Sequence, residues 1–337
     1  MNNKAISLFS GGLDSILATK IIMEQGIDVT AIHFTSPFSS KKEKERGLRA
    51  VRSADELGIE LILEYKGLDF LDIVRSPKYG YGKNLNPCID CRIFMLQKTK
   101  DRMADKQANF VITGEVLGQR PMSQRRDTIH IIEKASGLEG LIVRPLSAIH
   151  FTPSRPEQEG VLDRKKLLDF TGRTRTPQYR LAEKYHLTEF DSPGGGCLLT
   201  DPIFSKKLKG ILDSNETITT KDLELLSIGR HFNFPDNTRL IIGRNETENN
   251  RLISLWEKPY TLLQPVDFKG PAAILKGTFN NDTIEITANI MGHYGKYKYP
   301  IISVESKTDS GTTNIHSVKN RGTIPEVLLS GLPKDTQ

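Results

Sequence analysis

Cysteine is almost absent from this 337-residue chain, with three residues in all, and tryptophan occurs once. No apolar run approaches the roughly 20 residues that a membrane-crossing helix needs. Met1–Ser10 has neither the basic start nor the long apolar segment of a secretory signal. We therefore expect a cytoplasmic protein in which structural disulfides have no place. No internal repeat is evident. Hydrophobic and charged contents of 37% and 26% are ordinary for a globular protein, and the length allows two or more domains.

Positive charge is in modest excess, +6 with a pI near 9.0, which favours a polyanionic partner. It concentrates in Lys41–Arg52, in Arg120–Arg126 and in Arg164–Arg180. Each run alone reads as a solvated helix face. Together they nominate nucleic acid, with Arg120, Arg125, Arg126, Arg173 and Arg175 as candidate RNA contacts.

Strand and helix signals alternate over the first half. Ala5–Phe9 reads as a buried strand, and a helix follows over Leu13–Gln25, stopped by Gly26. Then come a strand at Asp28–Phe34, a helix at Lys41–Leu57 closed by Gly58, and a strand at Ile59–Tyr65. A helix at Arg92–Asp105 leads to strands at Asn109–Glu115 and Gly140–Ser147. This pattern predicts an α/β fold, a doubly wound and mainly parallel sheet that binds ligands at the carboxyl ends of its strands. Residues 1–215 form the expected first domain, in which 151–215 is a helical, loop-rich appendage carrying the third cysteine. Residues 216–330 read as a smaller α+β domain, and 331–337 as a tail.

The sequence "LFSGGLDS" (Leu8–Ser15) joins the first strand to the first helix. Its glycines let backbone N–H groups approach a ligand at a helix N-terminus, where anions are favoured. No lysine follows, so the loop is not of the Walker type. Asp14 beside a phosphate calls for Mg²⁺ between them, although an acid in a first helical turn also complements the helix dipole. "SGGLDS" resembles the SGGxDS motif of the PP-loop ATP pyrophosphatases, the adenine nucleotide alpha hydrolase-like enzymes. That resemblance implies ATP held by Ser10, Gly11, Gly12, Asp14 and Ser15 and cleaved between its α- and β-phosphates. By position it also implies adenine near Ala31, His33 and Phe34.

Cys88 and Cys91 stand in "NPCIDCR" and Cys197 follows three glycines. Bystander thiols, a redox pair, a persulfide carrier, zinc and an iron–sulfur cluster are all compatible with three cysteines. Zinc would require a fourth ligand such as His33, His150 or His186, whereas a 4Fe-4S cluster on three thiolates keeps one iron open. Some PP-loop tRNA thiolation enzymes carry such a cluster, and the cysteine separation here resembles theirs. "TGEVLGQRPMSQ" (Thr113–Gln124) is similar to the segment GESLGQVASQT of the tRNA 4-thiouridine synthetases, ThiI. Gly114, Glu115, Gln119 and Gln124 carry over, and the first three are assigned to the cofactor site; Arg120, Pro121 and Met122 depart from the pattern. "RPLS" (Arg144–Ser147) resembles the fifth-strand end of the superfamily, where Arg144 faces phosphate or RNA.

The PP-loop begins at residue 10, so we expect no ferredoxin-like and THUMP region before it, and no rhodanese domain after it. RNA binding is then expected from the second domain, where "RLIIGRNETENNRLISL" (Arg239–Leu255) resembles the NFACT-R family of RNA-binding domains. The resemblance implies a tRNA uracil 4-sulfurtransferase that uses ATP, Mg²⁺ and a 4Fe-4S cluster on Cys88, Cys91 and Cys197. Uridine O4, at uridine 8, would be adenylated and replaced by sulfur from inorganic sulfide or a cysteine desulfurase. Asp14 and the three cysteines would be catalytic, and a homodimer is compatible with the sequence. A PP-loop 2-thiolase, a persulfide or zinc thiolase, and a PP-loop ligase of small molecules remain the alternatives.

Overall fold

The computed structural model describes residues 3–187, 190, 197–213, 217–235, 237–257, 259–308 and 312–322. The chain divides into two compact units, Met1–Ser205 and Lys206–Gln337, where the sequence reading put its boundary after residue 215.

Unit 1 is built on a five-stranded parallel sheet, β1 (Lys4–Leu8), β2 (Asp28–Thr35), β3 (Leu61–Tyr65), β4 (Phe110–Thr113) and β5 (Ile142–Val143), in the order β3-β2-β1-β4-β5. The first step of sheet order, outward from β1 to β2 and back to β4 on its other side, opens a crevice at the carboxyl ends of β1 and β4. Helices α1 (Leu13–Met23), α2 (Lys41–Leu57), α3 (Asp69–Arg75), α4 (Cys88–Lys106) and α5 (Arg126–Ser136) cover the sheet, followed by the short α6 (Arg155–Gln158) and by α7 (Thr176–Lys184). Leu13, Leu17, Ile21 and Ile22 of α1 pack with Phe110, Ile112 and Val143 on one face of the sheet, whereas Ile93, Leu96 and Met103 of α4 pack with Ile6, Ile32 and Val111 on the other.

Three elements differ from expectation. Helix α4 begins at Cys88, four residues before Arg92, because Asp90 in its first turn accepts the amides of Lys78 and Tyr79 and pins the preceding loop to it. The fifth strand is two residues long, since Pro145 has no N–H to offer and Ser147 N turns back to Arg144 O. Helices α3 and α5 were not foreseen.

Helix α8 (Pro202–Leu212) spans the division between the units. Unit 2 then carries α9 (Thr220–Leu226), β6 (Arg230–Asn233), β7 (Arg239–Ile242), α10 (Glu246–Leu255), β8 (Thr261–Pro265), β9 (Ala273–Lys276), α11 (Asn281–Tyr294), β10 (Ile301–Lys307) and β11 (Thr313–Lys319). Its six strands pair antiparallel in the order β11-β10-β8-β9-β7-β6. Ile284, Ala288 and Met291 of α11 close one side of that sheet over Leu240, Leu263 and Leu275. The expected tail, 331–337, lies outside the described residues. No described helix is long and apolar enough to cross a membrane.

Candidate functional site

The glycine loop lies between β1 and α1. Gly11 takes φ +72°, and a Cβ there would meet Ala50 N and Cα at 2.8 and 2.9 Å, so α2 closes directly over it. At Gly12 an added Cβ would meet only Ser10 Oγ, at 3.4 Å, which leaves that side of the loop open. No side chain caps α1 at Gly12; its first amides have no acceptor within the helix and suit an anion. Ser15 Oγ donates to Gly12 O (2.8 Å) and lies 3.2 Å from Ser10 Oγ, so the two serines brace the loop internally.

Gly114 sits where β4 ends, and a Cβ on it would meet Asp14 C and O at 2.6 Å and Ser15 N at 2.7 Å. Only glycine lets the first turn of α1 rest against this strand. Asp14 is 16% exposed, and its Oδ2 accepts from Gln119 Nε2 (2.8 Å) and Arg175 Nη2 (2.9 Å). Gln178 Nε2 donates to Gln119 Oε1 (3.1 Å). Asp14 Oδ1, by contrast, is buried with no hydrogen-bond partner. An orphaned carboxylate oxygen beside an open glycine loop fits a divalent cation or its bound water. The appendage thus supplies Arg175, at the N-cap of α7, and Gln178 of α7 to the loop. It is stitched there by Gly172 N to Leu117 O (2.7 Å) and by Ser147 Oγ, which receives Leu117 N and donates to Phe170 O.

Glu115 and Arg144 do not face this opening. Glu115 is 2% exposed and pairs with Arg144 Nε (3.0 Å) and Arg92 Nε (3.1 Å), while Arg144 also binds Glu133. Burial pushes the Glu115 carboxyl up, but Arg92, Arg144 and the Thr113 hydroxyl outweigh it and hold it below the usual carboxylate range. Arg144 is correspondingly committed to two carboxylates inside the protein, and the expectation that it meets phosphate or RNA is corrected. The residues expected near adenine point in different directions. Successive strand residues face opposite sides, so Ala31 lies fully buried beneath α2 and His33 is turned inward onto Phe9 O (2.9 Å), whereas Phe34 packs on the other face with Ile32 and Ile62. The three side chains cannot line one pocket.

Cys88 and Cys91 occupy the first turn of α4, half-buried. Asn86 Nδ2 donates to Cys88 Sγ (3.0 Å) and Lys66 Nζ to Cys91 Sγ (3.1 Å). Burial and the neighbouring Cys91 push the Cys88 thiol up, opposed by Asn86, Arg120 and Arg92. Arg120 itself is drawn below its ordinary value by its packing and by Arg92, and feels Asp14, Cys88 and Arg175. It therefore links the glycine loop and the thiols electrostatically. Two contacts fasten the loop before Cys88: Gly82 lies against Met122, and Asn84 Nδ2 donates to Thr200 O (2.7 Å). Cys197 forms an antiparallel bridge with Ser39, and Leu198 N donates to Phe38 O (2.8 Å), which brings the third cysteine beside the end of β2. The three glycines before it lie outside the described residues.

Among the described residues no three His, Cys, Asp or Glu side chains are placed to hold a single metal ion. The donor set is nonetheless of the kind a cluster needs: three thiols outside any disulfide, two of them at a helix N-terminus beside Lys66, Arg92 and Arg120, which would offset anionic sulfur. Of the remaining arginines, Arg126 donates to His150 O (2.7 Å) and Arg125 pairs with Asp127 in solvent, while Arg173 is exposed. Sequence reasoning missed Lys66, which is 25 residues from Cys91 and shares no motif with it. It also missed the Arg175–Asp14 bridge, for which no spacing rule exists.

Comparison with known proteins gives the following. Residues 1–150 match the family Thiamine biosynthesis protein (ThiI), and residues 229–323 match the NFACT protein RNA binding domain. The probable tRNA sulfurtransferase of Geobacillus kaustophilus is 30% identical over 146 residues, 43% of this chain and 35% of that protein. That of Halothermothrix orenii is 31% identical over 155 residues, 45% of this chain and 37% of that protein. The chain thus spans little more than a third of the length of these relatives. A 4-thiouridine synthetase–RNA complex with bound ATP is 24% identical, covering 66% of this chain and 52% of that one, with a TM-score of 0.36. The U34-tRNA thiolase NcsA of Methanococcus maripaludis, with its 4Fe-4S cluster, is 19% identical over 67% of this chain and 73% of its own, with a TM-score of 0.35. Over residues 1–150, which hold the parallel sheet, the chain is similar to the ThiI family, and over residues 229–323 to the NFACT protein RNA binding domain.

Proposed function

We propose that the chain is an ATP-dependent tRNA uracil 4-sulfurtransferase, converting a uridine, that at position 8, to 4-thiouridine. The observation that carries this reading is the open SGGLDS loop with its orphaned Asp14 Oδ1, in the same unit as the Cys88–Cys91 turn, with Arg120 feeling the charge of both Asp14 and Cys88. The match of residues 1–150 to the ThiI family and the tRNA sulfurtransferase relatives support the same reaction class.

ATP would place its phosphates at the first amides of α1, over the open side of Gly12. Asp14 Oδ1 would hold the Mg²⁺ that travels with ATP, and Arg175, now on Oδ2, is within reach of the leaving pyrophosphate. Uridine O4 attacks the α-phosphorus, the bond to the β-phosphate oxygen breaks, and pyrophosphate departs. The O4 adenylate is then a good leaving group. Hydrosulfide adds at C4, AMP leaves with the former O4, and C4=S remains, with no net redox change. Cys88, Cys91 and Cys197 would hold a 4Fe-4S cluster, which when bound supplies an open iron for sulfide. Lys66, Arg92 and Arg120 balance negative charge there, and Arg120 and Arg175 orient the incoming phosphates. The target base must leave its stack, a cost of roughly a few kcal/mol that phosphate contacts offset.

The test is purification without oxygen, followed by metal and sulfide analysis and by incubation with tRNA, ATP and sulfide, with nucleosides resolved by mass spectrometry. The reading expects close to four irons per chain and ATP-dependent 4-thiouridine. A product thiolated at C2 would overturn the choice of ring carbon, and ATP-independent or absent thiolation would overturn the reaction.

A further inference from the structure

Unit 2 contains a cavity of about 310 Å³ lined by Arg230, Arg244, Asn245, Lys269, Tyr294 and Lys296, among others. Its cations differ in how they are engaged. Arg244 is held by Glu248 through two nitrogens, and Asn245 caps α10 by accepting from Glu248 N, so the first turn of α10 is already satisfied. Arg230 lies flat over the Tyr294 ring, 4.1 Å from its centroid, and its Nε is buried with no hydrogen-bond partner. Lys269 and Lys296 are exposed and have no carboxylate partner among the described residues.

The two lysines come together because their segments touch backbone to backbone. A Cβ on Gly295 would meet Lys269 O at 2.8 Å and the Phe268 ring at 3.1 Å. From that contact a ladder of rings runs outward: Phe268 to Tyr297 with centroids 4.8 Å apart, then Tyr297 to Tyr299 at 5.3 Å. Tyr299 ends it 71% exposed, and the neighbouring Lys298 is exposed too. Asn320 fixes the rung geometry by donating to Tyr297 O and Tyr299 O. Asp267 lies beside Tyr297 on this face.

We propose that this face binds a single-stranded segment of RNA, with one backbone phosphate seated between Arg230, Lys269 and Lys296 and a base stacked on Tyr299. It rests on the reading that RNA is the substrate, and it assigns where unit 2 grips it. Cations around a pocket match a phosphodiester, and an exposed ring at stacking distance from the next matches an unpaired base; a duplex hides its base faces and offers none. A free phosphate ion would use the cations but not the ring.

The measurement is fluorescence anisotropy of the full chain with a ten-nucleotide labelled single strand and with a duplex of equal length, across a salt series and without ATP. For the Lys269→Ala, Lys296→Ala double variant we expect roughly tenfold weaker binding and a salt slope reduced by about 0.7, one phosphate contact's worth for a single strand. For Tyr299→Ala we expect about tenfold weaker binding at an unchanged slope. Both variants alter exposed residues, and circular dichroism confirms that they fold. Unchanged affinity in both, equal affinity for the duplex, or full displacement of the strand by 10-fold less inorganic phosphate than chloride would each overturn the proposal. Because ATP and sulfide are absent, a chain that never thiolates can still pass, and one that thiolates can still fail.

Discussion

The two units treat positive charge in opposite ways. In unit 1 the arginines nearest the site are claimed by carboxylates, Arg144 and Arg92 by Glu115 and Arg175 by Asp14, while Arg125 and Arg173 stay in solvent. In unit 2 the lysines that matter stand apart in sequence and stay in solvent beside aromatic rings. Density of basic residues along a chain therefore says little about which of them a polyanion can reach. What decides is whether a carboxylate has already claimed them.

The largest effect expected from separating the two roles comes from Asp14→Asn. It should lower thiolation by about 10³-fold, read as 4-thiouridine per tRNA, while RNA affinity stays within about twofold. Arg144→Met should cost about 3–5 kcal/mol of stability in urea unfolding, since Glu115 would remain buried with a weakened set of partners. A matching loss of RNA affinity in the folded fraction would instead restore Arg144 as an RNA contact. Gly114→Ala should destabilise by roughly 1–3 kcal/mol through overpacking on Asp14 and Ser15, and should raise the KM for ATP more than that for tRNA.

Acid should separate the units more gently. Burial, then the Lys207 ammonium, pushes His231 in unit 2 down to about 3, against the pull of the Ile228 and Leu225 carbonyls. With the folded value below the ordinary 6.5, neutral His231 stabilises above that pH, and the contribution drains away as pH falls from 6.5 toward 3. Between pH 7 and 5 the loss should reach up to about 2 kcal/mol, and His231→Gln should remove it. Glu115 in unit 1 is depressed in the same sense from a carboxylate's reference, so its contribution persists until pH drops below roughly 4.3. A single acid transition with one onset for both units would break this contrast.

Much of unit 1 could be read without coordinates. Alternating strand and helix signals placed the sheet, and the loop at Ser10–Ser15 lies at the strand end where it was expected. Strand position alone could not say which way Ala31, His33 and Phe34 point, because neighbouring residues of a strand face opposite sides, one of them into the α2 interface. Arg144 was misread for a related reason: a basic residue at a strand end looks like a ligand contact until the two carboxylates that meet it, 29 and 11 residues away, are known. The Lys66–Cys91 contact and the face built by Lys269, Lys296 and Tyr299 were invisible, since each joins segments with no shared periodicity.

Cys197 is tied by a backbone bridge to Ser39, beyond the end of β2, and is made more than a hundred residues after Cys91. At roughly 5–20 residues per second, a ribosome exposes the Cys88–Cys91 pair for on the order of 5–20 s before the third thiol exists. During that interval the pair has helix α4 and Lys66 to hold it, and the third cysteine is still to be made. Completion of the thiol set is thus an event in time as well as in space, set by translation speed and by how long two neighbouring thiols stay reduced.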